Sequence, residues 1–533
     1  MDSSLLNQHL TVDSSHSYVL PRLCKAQKAS NMALNEQIRQ MIAEGKSIYH
    51  FGFGQSPFPV VEGARRVLAE RAGENAYLPV AGLLELRVQI CNFHAQLDGL
   101  GHLDPNMVIV GPGTKQVIYL LIQVFRWCIY IYLCVPFEVS LTARDSVLIL
   151  SPSWITYKPM TVLAGKESLE VVSGMEDGWK LTPRILEKTI LESGASKNHL
   201  LIFCNPDNPT GISYSEAELM ALSGVLRKYN VVVLSDEIYG HTQYQGDFLS
   251  LAKYYPEGTI ISSGLSKCFS AGGWRCGYSI YPKELVALYK TVCSASSHTH
   301  SCAAAPVQHA AIHNVIQLSG LRNSWRCASR CPECFLKEIS QKPAVFQNCG
   351  VVVSLLVLVS RVNGLSEKYI SCLIFVAPLY FQLFKLGDET KEYLKGCRCI
   401  MGALAKFCHR ELTRCGVQAI LPVAGYYIFP DFEILRPVLE ARGILTCEQM
   451  CEALFKEADV VVMAGGPGFM RPLTEFTVRL CFVNFDGGVA LDGWRRQGCK
   501  ETLDQEFLDE FCSPVVLGIK AIVSWVEKQQ AAL

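Results

Sequence analysis

Residues 259–281 read TIISSGLSKCFSAGGWRCGYSIY. An apolar run passes through small residues to Lys267, reaches Arg275 eight positions later, and turns apolar again from Gly277 to Ile280. This pattern predicts a buried strand that delivers one amine into a cleft walled by Ser, Gly and Ala. An amine held in a cleft can lose its proton and attack a carbonyl carbon. An arginine beside a Gly-Gly pair can grip a phosphate with two prongs. The commoner meaning of a lone lysine is a solvated surface charge, so the reading depends on the rest of the chain. A penicillin-binding or β-lactamase lysine is excluded, because that motif needs Ser at a position that is Gly264 here.

A lysine that forms an imine and an arginine that holds a phosphate together suggest pyridoxal phosphate. Seven further stretches stand in order around them: GFGQSPF (52–58), AYLPVAGLLELR (76–87), GPGTKQ (111–116), SPSWITY (151–157), CNPDNPTG (204–211), SDEIYG (235–240) and TVRLCF (477–482). In this order the chain resembles the class I/II aminotransferases, the fold-type I enzymes that use pyridoxal 5'-phosphate. The resemblance implies an α/β fold, with a mostly parallel central sheet in a three-layer large domain. A smaller α+β domain would be built from both ends of the chain.

Composition is compatible with this. The 533 residues are enough for several domains' worth of core. Lys+Arg and Asp+Glu are equal at 49 each, so no global charge favours nucleic acid or an anionic membrane. The first residues lack the basic, then apolar, pattern of a secretory signal and the Arg-rich bias of a transit peptide. The 23 cysteines read as mostly reduced thiols of a cytoplasmic enzyme.

Taken in order, residues 1–47 form an N-terminal arm with a helix at about 29–44, and the large domain spans 48–316. MVIVGPGTKQVIYLLIQVF (107–125) predicts strand, glycine turn and helix, which sets free N–H groups and a helix dipole where a phosphate can sit. It is neither a Rossmann nor a Walker loop, and the nearest Walker fragment, Gly45-Lys46-Ser47, has Gln40 where a glycine is needed. Ser215 to Glu218 predicts a capping box. VVVLSDEIYG carries Asp236 at the C-terminal end of an apolar strand, where ligands bind in open α/β sheets. The run DETKEYLKGCRCIMGALAKFCHREL (388–412) predicts a helix, Gly425–Phe429 and 477–485 strands, and EFLDEFCSPVVLGIKAIVSWVEKQ one final helix; residues 387–533 make the C-terminal small domain.

The resemblance assigns roles. Lys267 is the catalytic residue. Gly113, Thr114, Lys115, Ser266 and Arg275 line the phosphate end, and Trp154 stacks on the ring. Asn208 and Tyr239 meet the ring's phenolic oxygen, and Asp236 faces its nitrogen. Gly54, Asn208 and Arg479 bind the substrate, the last by a fork that lysine cannot copy. Tyr77 reaches a partner subunit's cofactor in a homodimer. No metal is expected, and the other partners are an L-amino acid and a 2-oxo acid.

Two stretches depart from the family, at about 127–143 and 317–386. Both are apolar and cysteine-rich without caps or period, and read as non-homologous sequence such as a retained intron. Neither makes a membrane span of about 20 residues. Cys327, Cys331 and Cys334 have the spacing of an iron–sulfur ligand set, but the barrel expected around one is missing from the pattern. The expected activity is ping-pong amino-group transfer through an imine on Lys267. The alternatives are a C–S lyase or cyclopropane-forming enzyme on the same cofactor, or a dead scaffold disabled by its insertions.

Overall fold

The computed structural model describes residues 30–125, 146–193, 198–312 and 388–532. Both departures from the family pattern, and the Cys327/Cys331/Cys334 set, lie outside the described residues.

Twelve strands are described. They are β1 (Tyr49–His50), β2 (Val108–Gly111), β3 (Ser146–Ser151), β4 (Glu167–Val172), β5 (His199–Cys204), β6 (Val232–Asp236), β7 (Thr259–Gly264), β8 (Gly277–Ile280), β9 (Tyr427–Ile428), β10 (Val460–Val461), β11 (Met463–Ala464) and β12 (Val478–Cys481). Seven of them form the main sheet, in the order β2-β8-β7-β6-β5-β3-β4. The β7 to β4 pairs are parallel, while β8 runs antiparallel to both neighbours. Strand residues alternate between faces, as the pleat requires. Val147, Ile149, Leu200, Ile202, Val232 and Leu234 pack with the helices Thr114–Val124 and Tyr157–Leu163. Leu148, Leu150, Leu201, Phe203 and Val233 pack with Pro183–Ser193 and Glu216–Lys228 on the other face. The second of these helices begins with the expected capping box, both halves formed between Ser215 and Glu218.

A second body is built around the antiparallel sheet β11-β12-β9. Strand β1 pairs in parallel with β10, so a segment from early in the chain completes it. The Cys481 N–H donates to the Phe51 carbonyl at 2.8 Å, which brings the Gly52–Gly54 loop against β12. The single final helix expected from sequence is corrected to two, Gln505–Phe511 and Ser513–Gln530. Cys512, at φ −126°, breaks the run. Pro514 follows at the start of the second helix, where its missing N–H costs nothing, whereas inside a continuous helix it would remove a bond and clash with the preceding turn.

Candidate active site

Strands β6 and β7 run in parallel with Asp236 opposite Ser262, so Asp236 and Lys267 leave the sheet at the same, C-terminal edge. Lys267 is half-buried, and its Nζ donates to the Gly54 carbonyl at 2.8 Å. The same nitrogen lies 5.3 Å from the centroid of the Tyr239 ring and 5.6 Å from that of Tyr426. The Tyr426 hydroxyl donates to the Lys267 carbonyl at 2.9 Å, which holds the turn that carries the amine. Burial, then the positive charge of Arg479, brings the amine down from 10.5 to about 8; Cys481 and Asp236 pull the other way.

Asp236 is 3% exposed. Its Oδ2 accepts from the Tyr157 hydroxyl at 2.6 Å, and Oδ1 from the Ile238 N–H at 3.3 Å. Burial still pushes the carboxyl up from 3.8 to about 6, against the lowering effect of those two donors and of Lys267. Two hydrogen bonds do not replace the water that a charged carboxylate loses.

Arg479 comes from β12 of the second body and is 2% exposed. Its Nη2 donates to the Gly52 carbonyl at 2.8 Å and its Nη1 to Asn208 Oδ1 at 3.4 Å. The guanidinium lies 4.9 Å from the Tyr427 ring centroid and 5.4 Å from that of Phe469. Its Nε has no hydrogen-bond partner among the described residues. Asn208 Nδ2 reaches the Tyr239 hydroxyl at 3.5 Å, and that hydroxyl is hydrogen-bonded to the Tyr427 hydroxyl at 2.6 Å. Gly54 is glycine for space: a Cβ there would meet the Tyr427 ring at 2.3 Å.

The glycine turn after β2 sits at the other end of the cleft. Gly113 has φ +88°, and a Cβ on it would lie 2.3 Å from Arg275 Nη2. A Cβ on Gly277 would lie 2.3 Å from the Thr114 N. Arg275, Gly113 and the start of the Thr114–Val124 helix therefore converge on one place. Lys115 stands in the helix's first turn with its Nζ 5.1 Å from the Trp154 ring centroid. Burial, and then Arg275, hold that amine below its usual range. Trp154 packs edge-on against Tyr157 at 5.2 Å. Ser266 is half-buried in the turn between β7 and Lys267. Tyr77 is 90% exposed and is not gathered with the others.

Three participants escaped the sequence reading. Tyr157, Tyr426 and Tyr427 supply hydroxyls to Asp236, to the Lys267 carbonyl and to Tyr239. The only local signal was a tyrosine at a strand (Tyr426, Tyr427) or at the start of a helix (Tyr157), whose hydroxyl must find a partner once buried.

Buried groups of both signs at the C-terminal edge of a doubly covered sheet, with a glycine turn and an arginine at one end, define an enzyme site of the α/β class. Residues 45–324, more than half of the chain, match the family described as aminotransferase class I and II, and the chain belongs to that family. It is an enzyme that transfers amino groups, a transaminase. It is 32% identical over 297 residues to an aspartate/prephenate aminotransferase of Cereibacter sphaeroides, covering 54% of this chain and 68% of that one. Over 299 residues it is 30% identical to an aspartate aminotransferase of Geobacillus stearothermophilus, covering 55% and 70%. Among solved structures, an aspartate aminotransferase from Thermus thermophilus with maleate superposes with a TM-score of 0.66 at 20% identity, covering 96% of this chain and 100% of that one. The fold is that of the fold-type I, pyridoxal-phosphate-dependent superfamily. Among the described residues no helix is long and apolar enough to cross a membrane.

Proposed function

We propose that the cleft between Lys267, Asp236 and Arg479 binds pyridoxal 5'-phosphate and exchanges amino groups between an L-amino acid and a 2-oxo acid in ping-pong order. The observation that carries this reading is geometric: Asp236, at the end of β6, and Lys267, in the turn just past β7, leave neighbouring parallel strands at the same edge. Burial there lowers the amine and raises the carboxyl. The residues fit the cofactor. Asp236 suits a ring N–H. The turn at Gly113 and Thr114, with Arg275, Lys115 and Ser266 beside it, suits a phosphate. Its open space depends on glycine, since a Cβ on Gly113 would crowd the Arg275 guanidinium at 2.3 Å. Asn208 and Tyr239, 3.5 Å apart, suit one phenolic oxygen, and Trp154 suits the ring face.

When bound, the ring supplies an electron sink for charge that develops on the substrate α-carbon. The chain's own residues do the rest. Arg479, with two ring faces beside it and an Nε that has no partner among the described residues, takes the substrate carboxylate, and the Gly54 backbone borders it. Lys267 Nζ, near neutral pH partly unprotonated, takes the proton from the α-carbon and returns it. Asp236 stays charged against a ring cation, and the Tyr157 hydroxyl holds it in position. The same proposal includes a large domain over 48–316, a small domain from 1–47 and 387–533, a cytoplasmic location, and a homodimer in which Tyr77 serves the partner's cofactor. The names of the relatives make L-aspartate the first donor to try.

The test is a visible spectrum followed by borohydride reduction and peptide mapping. A yellow protein with the pyridoxyl mass on the Lys267 peptide supports the reading, and a colourless one supports the dead scaffold. L-Aspartate with a 2-oxo acid acceptor is expected to yield oxaloacetate. Pyruvate and ammonia from a thioether amino acid, with no 2-oxo acid acceptor consumed, would favour the lyase.

A further inference from the structure

Behind the Tyr239 wall lies a second cluster that amino-group transfer does not use. His94, in the helix Leu84–Leu97, and Asp98, one turn on at its C-terminal end, face the same way. His241 comes from the short turn Gly240–Thr242, directly after Tyr239. His94 Nδ1 is 2.6 Å from Asp98 Oδ2, and His241 Nε2 is 3.7 Å from the same oxygen. The atoms that the three side chains offer all lie within 4.8 Å of one another. The side chains of His94 and Asp98 are each 1% exposed and that of His241 10%.

We propose that His94, Asp98 and His241 form a binding site for one divalent cation of borderline softness, Zn2+. Two imidazole nitrogens and one carboxylate oxygen are a ligand set that zinc accepts, with a water as the fourth ligand. Bond lengths of about 2.0–2.2 Å in a tetrahedron put ligand atoms roughly 3.3–3.6 Å apart. The site therefore needs one separation to open from 2.6 Å and another to close from 3.7 Å. The outer contacts are those of a metal ligand. His94 Nε2 is 3.0 Å from the Tyr278 hydroxyl, which can accept its proton when Nδ1 binds a metal. The carboxyl of Glu237, whose Oε2 has no hydrogen-bond partner among the described residues, is close enough to interact with both His94 and Asp98. Around His241, Asp98 favours a bound cation, while Arg398 and a charged His94 oppose one. His241 also lines a small cavity shared with Lys267, Cys268, Cys397 and Arg398. A metal here would tie the Leu84–Leu97 helix to the turn that carries Tyr239.

The test uses the full-length holoenzyme, stripped of metal by a chelator, loaded with Zn2+, desalted and counted by mass spectrometry. The expected result is one zinc per chain, lost in Asp98→Asn and in His241→Gln. Because other thiols in the chain could hold zinc, Co2+ is the second probe. Nitrogen and oxygen ligands give weak visible bands without the intense near-ultraviolet band of a thiolate ligand. Those bands are expected in the unaltered protein and absent from both variants. The unaltered protein decides the matter even if a variant fails to fold. Cobalt spectra without such visible bands, or bands dominated by thiolate, would overturn the site and leave a proton shared between His94 and Asp98.

Discussion

Asp236 and Arg479 are opposite charges buried to nearly the same depth, 3% and 2% exposed, on two different bodies of the molecule. The chain meets them differently. Asp236 is given a hydroxyl and an N–H and rises to about 6. Arg479 is given one carbonyl oxygen, an amide oxygen and two aromatic faces, and its Nε–H has no partner among the described residues. The contrast reflects their chemistry. A carboxyl can give up its charge by taking a proton, so its wall can be tuned by pH. A guanidinium as a class keeps its charge, so it must be fed dipoles until an anion arrives. Lys267 stands between the two, lowered by one and raised by the other.

The most severe way to break this arrangement is to remove the group that both charges act on. Lys267→Ala is expected to lower the transamination rate by about 10²–10⁴-fold or more, read in a coupled assay, and to abolish borohydride labelling. In the unaltered, cofactor-free protein, the rate of reaction with an amine-specific reagent at Lys267 should rise with a midpoint near pH 8. A midpoint above 10 would show that neither burial nor Arg479 acts on the amine.

The next largest effect belongs to Asp236. Its native value of about 6 lies above the ordinary 3.8, so the native state holds the proton more tightly than the unfolded chain. Its contribution to stability is therefore present below about pH 4 and lost as pH rises through about 6, a change of about 3 kcal/mol in cofactor-free protein. Asp236→Asn should flatten that part of the pH–stability curve measured by denaturant unfolding, and should weaken cofactor binding. An unchanged curve would mean that the carboxylate is already compensated.

Arg479→Lys sharpens the other half of the comparison. A lysine keeps the charge but loses the fork, and a hydrogen bond to a charged group is worth about 1.5–3 kcal/mol. The expected result is a KM for the 2-oxo acid raised about tenfold to a hundredfold, with cofactor absorbance retained. The smallest effect on stability is expected for Tyr77→Phe. At 90% exposure its hydroxyl should matter to folding by less than about 0.5 kcal/mol, while cofactor affinity falls if the residue serves a partner subunit.

Much of the site was legible because it is local. The glycine turn and the capping box at Ser215 follow from residues with special backbone needs and stand where expected, whereas the strands expected at Gly425–Phe429 and 477–485 shorten to Tyr427–Ile428 and Val478–Cys481. The final helix was misread, since its apolar pattern runs on through Cys512 while the proline starts a new axis. Tyr157 and Tyr427 were missed as partners because nothing within a few residues of either says which buried group it will meet.

The order of residues by itself determined which side chains stand at strand ends, because a pleat and a turn are set by neighbours a few positions away. Only the tertiary structure decided their charge states. The amine of Lys267 is lowered by burial and by an arginine that β12 brings from the far end of the chain, and the carboxyl of Asp236 is raised by the layers packed around its strand. Desolvation and charge act through space, and distance in space is what folding alone sets.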